Sequence, residues 1–339
     1  QRQYYEKWEP DAQTDQAIDF LRDRDGDDRP WALFVSWHPP HNWVNPDSGY
    51  PQQWCYEAPQ EAMQRYDPTH IRLRPGSADT PEQRAIYQGY YALCSNLDDN
   101  FGRLIAELEQ RGELNNTVIV YTSDHGDCLR SEGTDELHKL RPEHVSSRVP
   151  LLIRAPGLEP GVSDLLIGGL DLMPTLLGLM GIDPPATCHG NELSKAIRKG
   201  DDEAVESQPL FLSFPMDIDW RGIYTRRYTY SFGPDGERFN RLYDREADPW
   251  EQRNLFDDAS TGELRGELHR RTLAWMTHFG DRFVLHEELA RASLVDASSI
   301  FQVFRASTGE AGGRPIDCIA DRPGWIDEAG SFTSDRKSS

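Results

Sequence analysis

The sequence contains no apolar run long enough to cross a bilayer and no basic-then-apolar leader. It has no CxxC pair. Its five cysteines (Cys55, Cys94, Cys128, Cys188 and Cys318) are an odd number and widely spaced. That pattern excludes zinc fingers and thioredoxin-like chemistry and argues against a disulfide framework, while leaving room for one or two bridges. Lysine is scarce, which singles out Lys139. Positive charge is also in deficit: the net charge is -21 over 339 residues, which argues against nucleic acid or an anionic membrane as the main partner. A small anionic substrate remains compatible with it, because a pocket can be basic inside an acidic protein. The chain starts at Gln1 and its first residues read as mid-protein sequence, so the missing leader is weak information about export.

An apolar content of 37% with nine tryptophans supports a core. Ala17, Ile18, Phe20 and Leu21 give Thr14–Arg24 an apolar helical face, and Trp31–Trp37 follows as a buried strand. His38-Pro39-Pro40-His41 is a stiff turn at its end. Residues 42–81 lack a period and read as a long loop over the sheet edge. Ile86, Tyr90, Leu93, Leu97, Phe101, Leu104 and Leu108 recur at helical steps, predicting a helix from Pro81 to Gln110. A strand ending at Asp124 follows, then a strand Val149–Arg154 and a helix Asp171–Met180 capped by Asp171. This alternation predicts an α/β fold with a mainly parallel sheet sandwiched by helices.

After residue 205 the pattern changes. Pro209–Phe214, Arg221–Tyr230 and Phe239–Tyr243 read as short strands and Gly262–Phe279 as a helix. The expected organisation is an α/β domain over 1–205, a small C-terminal α+β subdomain with an antiparallel sheet over 206–285, and a polar tail, partly disordered, over 286–339.

The chemistry centres on Thr122-Ser123-Asp124-His125-Gly126. A strand delivering a carboxylate and an imidazole to a sheet rim supplies part of a divalent-metal site, and two ligands are too few to complete one. Taken alone, Asp124 reads equally well as a helix cap and His125 as a surface residue.

Five segments in register carry a resemblance. They are Asn96–Gly102, Thr122–Asp127, Arg148–Gly157, Asp171–Thr175 and Leu242–Glu251, and together they resemble the sulfatase family of the alkaline-phosphatase-like superfamily over about residues 13–280. The resemblance implies hydrolysis of a sulfate ester at a divalent cation, most often calcium, with magnesium or manganese open. Asp124 and His125 match a pair of metal ligands. His41 matches a histidine that hydrogen-bonds the sulfate and can protonate the leaving oxygen. Lys139 matches a lysine that neutralises the oxyanion, with His138 and Arg141 as neighbouring candidates. Between Asp127 and Pro150 the chain departs from the family, and the acidic residue before Arg148 has no clear counterpart.

Two family features do not occur in these residues: an aspartate pair on a first strand, and the Cys/Ser-x-Pro-x-Arg segment whose first residue becomes the formylglycine nucleophile. Cys318-Ile-Ala-Asp-Arg322 imitates the second by coincidence, and Asp98-Asp99 falls mid-helix. The expected activity is therefore sulfate ester hydrolysis with half the metal shell and the nucleophile outside this chain, which is inactive in isolation. The expected substrate is a small-molecule or carbohydrate sulfate ester. A phosphonate monoesterase or phosphodiesterase of the same superfamily, and a non-catalytic binding protein, are the alternatives. A periplasmic or secreted setting accords with the family.

Overall fold

Helix α3 (Pro81–Gln110) organises the N-terminal half. Thr80 accepts the Gln83 N–H at its start, and Pro81 sits where no N–H is required. Leu93, Leu97 and Leu108 of the predicted apolar face are buried, Ile86, Tyr90, Phe101 and Leu104 are half-buried, and Tyr87, outside that face, is buried as well. Helix α1 (Glu9–Arg22) packs on α3 through Ala17, Ile18 and Leu21. It starts five residues earlier than expected, at a turn with Pro10 inside it. Polar ties bind the pair: Arg22 grips Glu107 at 2.8 Å, and Asn96 and Asn100 both donate to Asp11. A methyl group on Gly89 would lie 1.8 Å from the Tyr56 carbonyl oxygen. The glycine thus lets the chain cross α3 there, which fixes Tyr56 beside the site described below.

The computed structural model describes residues 7–44, 54–214, 218–234 and 236–281. Within 42–81 are a short antiparallel bridge between β1 (Trp43–Val44) and β2 (Trp54–Cys55) and one helical turn, α2 (Gln60–Met63). Strand β3 (Ile119–Thr122) pairs with β4 (Leu151–Arg154), and the pairing is antiparallel. Residues 31–37 alternate between half-buried and exposed as a strand does, with Phe34 93% exposed, yet have no strand partner among the described residues. Alternation specifies a strand's two faces, and only a neighbouring backbone makes it part of a sheet. The mainly parallel sheet is therefore not seen among the described residues, whose one pair near the site runs antiparallel.

Helix α4 (His144–Ser147) precedes β4, and α5 (Gly169–Leu179) and α6 (Ser194–Lys199) follow it. Asp171 caps α5 from inside its first turn: its Oδ2 accepts the Gly168 N–H at 2.9 Å, so Gly168 is the cap residue. Leu170 and Met173 on this helix, and Met180 just past its end, stay at least half exposed. Strands β5 (Ser207–Phe214), β6 (Ile218–Thr225), β7 (Tyr228–Phe232) and β8 (Arg241–Asp244) form a four-stranded antiparallel sheet in chain order. The stretch Arg221–Tyr230, read above as one strand, spans two, broken by a turn that Thr225 Oγ1 holds by accepting the Tyr228 N–H. Helix α7 (Gly262–Phe279) covers the sheet over a core of Ile223, Tyr230, Phe232, Leu242, Leu268 and Met276. Cys94, Cys128 and Cys188 are free thiols. No helix among the described residues is long and apolar enough to cross a membrane. The expected tail and Cys318 lie outside the described residues.

Candidate functional site

Strand β3 delivers Asp124 and His125 to the end of the sheet. The turn they enter is close-packed: the Gly126 N–H donates to the Ser146 carbonyl at 2.7 Å, and a Cβ there would lie 2.2 Å from the Val145 oxygen. His125 Nδ1 lies 2.8 Å from the Gly126 carbonyl, an acceptor only, so Nδ1 carries the proton and Nε2 keeps its lone pair. His41, at the end of the proline turn, repeats this arrangement with its Nδ1 2.6 Å from the Asn42 carbonyl.

Both free lone pairs point at one cation. Lys139 Nζ donates to His41 Nε2 at 2.8 Å and to His125 Nε2 at 2.9 Å. Asp124, with its side chain 83% exposed, places Oδ2 3.4 Å from the same His125 nitrogen. The four residues expected from the sequence therefore meet in space, although 98 positions separate His41 from Lys139. Of the neighbouring candidates, His138 stacks on His41 with ring centroids 6.5 Å apart and receives the Asn42 amide at 3.0 Å. Arg141 turns away, to Glu143 at 3.3 Å and to the face of Phe239. Lys139 is the one that reaches both imidazoles. His38 is exposed, its ring 4.9 Å from that of His41.

Burial holds His41 below the ordinary imidazole value, and the Lys139 charge adds to this, against the opposing bond to Asn42. His138 is pushed down to about 4, by burial and then by His41 and Lys139. Both shifts favour the neutral imidazole, in keeping with the hydrogen bond that His41 Nε2 accepts from Lys139 Nζ. Behind them, Asp127 is raised to about 6 by burial, against the hydrogen bond it accepts from Tyr56 at 2.8 Å; its Oδ1 is buried without a hydrogen-bond partner. Tyr56 also lies 3.4 Å from His138 Nδ1, so Asp127, Tyr56, His138 and Asn42 form one chain of contacts ending beside His41.

Sequence reasoning missed the layer that holds the Lys139 loop. Glu143, fully buried, receives Arg241 Nε at 2.7 Å, the Tyr243 hydroxyl at 3.2 Å and Arg141. Glu251, 1% exposed, accepts the His144 N–H at 2.6 Å and the Thr229 hydroxyl. The one available signal was the position of Glu251 within the Asp248-Pro249-Trp250-Glu251 string.

Asp124 Oδ2 and His125 Nε2 converge and are donors of the kind that binds a divalent cation. They fit as part of a shell. Among the described residues no group of three or more His, Cys, Asp or Glu side chains forms a complete one.

Comparison with known proteins adds independent information. The family model described as Sulfatase matches residues 2–182, and that described as N-sulphoglucosamine sulphohydrolase, C-terminal, matches residues 141–277. An ulvan-active sulfatase of Formosa agariphila is 30% identical over 291 residues, covering 83% of this chain and 54% of the relative. An endo-4-O-sulfatase of Bacteroides thetaiotaomicron is 26% identical over 292 residues, covering 78% of this chain and 55% of the relative. The solved structure of the yidJ protein of Bacteroides fragilis superposes with a TM-score of 0.71 at 28% identity, covering 83% of this chain and 61% of the other. The chain thus spans about half the length of the curated relatives it matches.

Proposed function

The chain belongs to the sulfatase family, and we propose that it supplies the acid-base and anion-binding half of a site that hydrolyses a sulfate ester to an alcohol and sulfate. The observation that carries this reading is the Lys139 ammonium seated between two imidazole Nε2 atoms at 2.8 and 2.9 Å. A sulfate ester presents negative oxygens and loses an alkoxide, so it needs a fixed cation and a proton donor in one place.

Lys139 would provide the cation. His41 Nε2 faces the same point; protonated there, His41 would give that proton to the departing oxygen and return to the Nδ1–H form held by Asn42, while Lys139 keeps its charge. Asp124 and His125 would hold a divalent cation, with Lys139 giving up His125 Nε2 to it and keeping His41, and calcium being the best match to a shell completed by further oxygen donors. The cation would supply charge for the sulfate oxygens, and a formylglycine, expected outside these residues, would supply the nucleophile. Asp127, Tyr56 and Asn42 would keep His138 stacked on His41 and so fix the ring that faces the leaving group. The relative named for ulvan makes a sulfated carbohydrate the substrate to test first.

The test is sulfate release by the protein at the length its source makes, on a sulfated oligosaccharide and on matched aryl sulfate and aryl phosphodiester substrates. Turnover of a sulfate ester that drops about 100-fold or more in Lys139→Met supports the reading. Preference for the phosphodiester would move the site to phosphoryl chemistry. No turnover of any of them, with no calcium retained, would make this a binding protein.

A further inference from the structure

Lysine carries its charge on a flexible four-carbon stem, so two simultaneous contacts at 2.8 and 2.9 Å require its backbone to be fixed. On one side of Lys139, the His138 carbonyl accepts the Cys128 N–H at 2.9 Å. On the other side Leu140 has φ +72°, a left-handed conformation that leucine rarely adopts. Its carbonyl accepts the indole N–H of Trp220 at 3.2 Å. Trp220 comes from β6 of the C-terminal sheet, is 3% exposed and packs its ring on Phe239, with centroids 6.4 Å apart. Three residues past Leu140, buried Glu143 is gripped by Arg241 and Tyr243 of β8. The chain leaving Lys139 is therefore tied twice to the C-terminal sheet, first by the indole.

We propose that Trp220 is a positioning residue for Lys139: by holding the Leu140 carbonyl in its left-handed turn, the C-terminal sheet sets the place at which the ammonium meets His41 and His125. The proposal deepens the reading of Lys139 as the site cation, but the measurement that tests it does not depend on that reading. Trp220→Phe keeps an aromatic ring against Phe239 and removes the N–H, leaving the Leu140 carbonyl without its donor. Losing one such bond shifts a local equilibrium about 3- to 10-fold. Lys139 should then leave its imidazole acceptors more often and react faster with an acylating reagent.

The experiment is timed acetylation of the whole chain, read by peptide mass spectrometry, with the exposed Lys195 and Lys199 of helix α6 as internal references. In Trp220→Phe the Lys139 rate should rise about threefold or more while both references hold, reflecting loss of a single hydrogen bond. An unchanged Lys139 rate in a chain with wild-type circular dichroism would overturn the proposal and reduce Trp220 to packing. Should phenylalanine not fold, Trp220→benzothienylalanine, which puts sulfur in place of N–H within the same ring outline, gives the same two outcomes. Sulfate release plays no part in either, so a protein that proves to be no sulfatase leaves this result standing.

Discussion

Replacing Glu251 by glutamine isolates the cost of burying one carboxyl behind the site. Burial raises Glu251 from 4.5 to about 7, although the Thr229 hydroxyl, the His144 N–H and the Arg245 charge all pull it down. In the unfolded chain it ionises near its ordinary value. Between pH 4.5 and about 7 the folded protein therefore retains a proton that the unfolded chain has released. Folded-state stability falls as pH rises through that window, and this group adds no slope below or above it. The shift of two and a half units (7 − 4.5), at about 1.4 kcal/mol per unit, amounts to about 3 kcal/mol. Glutamine is neutral at every pH and mimics the protonated acid. Urea unfolding of both chains, followed by circular dichroism from pH 4.5 to 8, should show Glu251→Gln gaining about 3 kcal/mol on the wild type across the window. His138, His144 and His269, all pushed down to about 4 by burial, give the opposite slope in both chains and cancel in the difference. A difference that stays flat with pH would refute the buried, protonated carboxyl.

Three further outcomes are expected. Gly102 lies mid-helix in α3 with nothing within 4 Å of an added Cβ, so Gly102→Ala should stabilise by about 0.5–1 kcal/mol in the same assay. Gly133 has φ +79° and a Cβ there would lie 2.1 Å from the Glu251 carbonyl, so Gly133→Ala should destabilise by about 2 kcal/mol or more and loosen the Lys139 loop. In the protein at its source length, Asp124→Asn should weaken calcium retention about tenfold or more in a chelator competition, because a charged oxygen donor is lost.

Elements specified by local pattern were legible. The bounds of α7 and α3 follow from capping residues and apolar spacing, both of which lie within the segment concerned. What depends on a distant partner was not. Residues 31–37 have the composition of a strand, but composition is silent about which backbone lies alongside. The turn at Arg226–Arg227 carries no glycine, proline or asparagine, so one β-rich run concealed two strands. Within the site, Asp124, His125, His41 and Lys139 were readable because motif order constrains them. Trp220, Glu143, Tyr243 and Arg241 were not, since an indole or a carboxylate acting through a backbone carbonyl or a second side chain leaves no local signature.

The extended backbone of residues 31–37 bears on how copies of this chain, taken by itself, behave together. Its exposed Phe34, and a main chain without strand partners among the described residues, offer a template onto which another extended segment can add. A charge of -21 on every copy opposes that approach. The opposition is electrostatic and fades as the Debye length shortens, from about 10 Å at 0.1 M salt to about 3 Å at 1 M. Colloidal behaviour should therefore invert the usual intuition for an acidic protein: dilute buffer keeps the chains apart, and concentrated salt brings their open strands together.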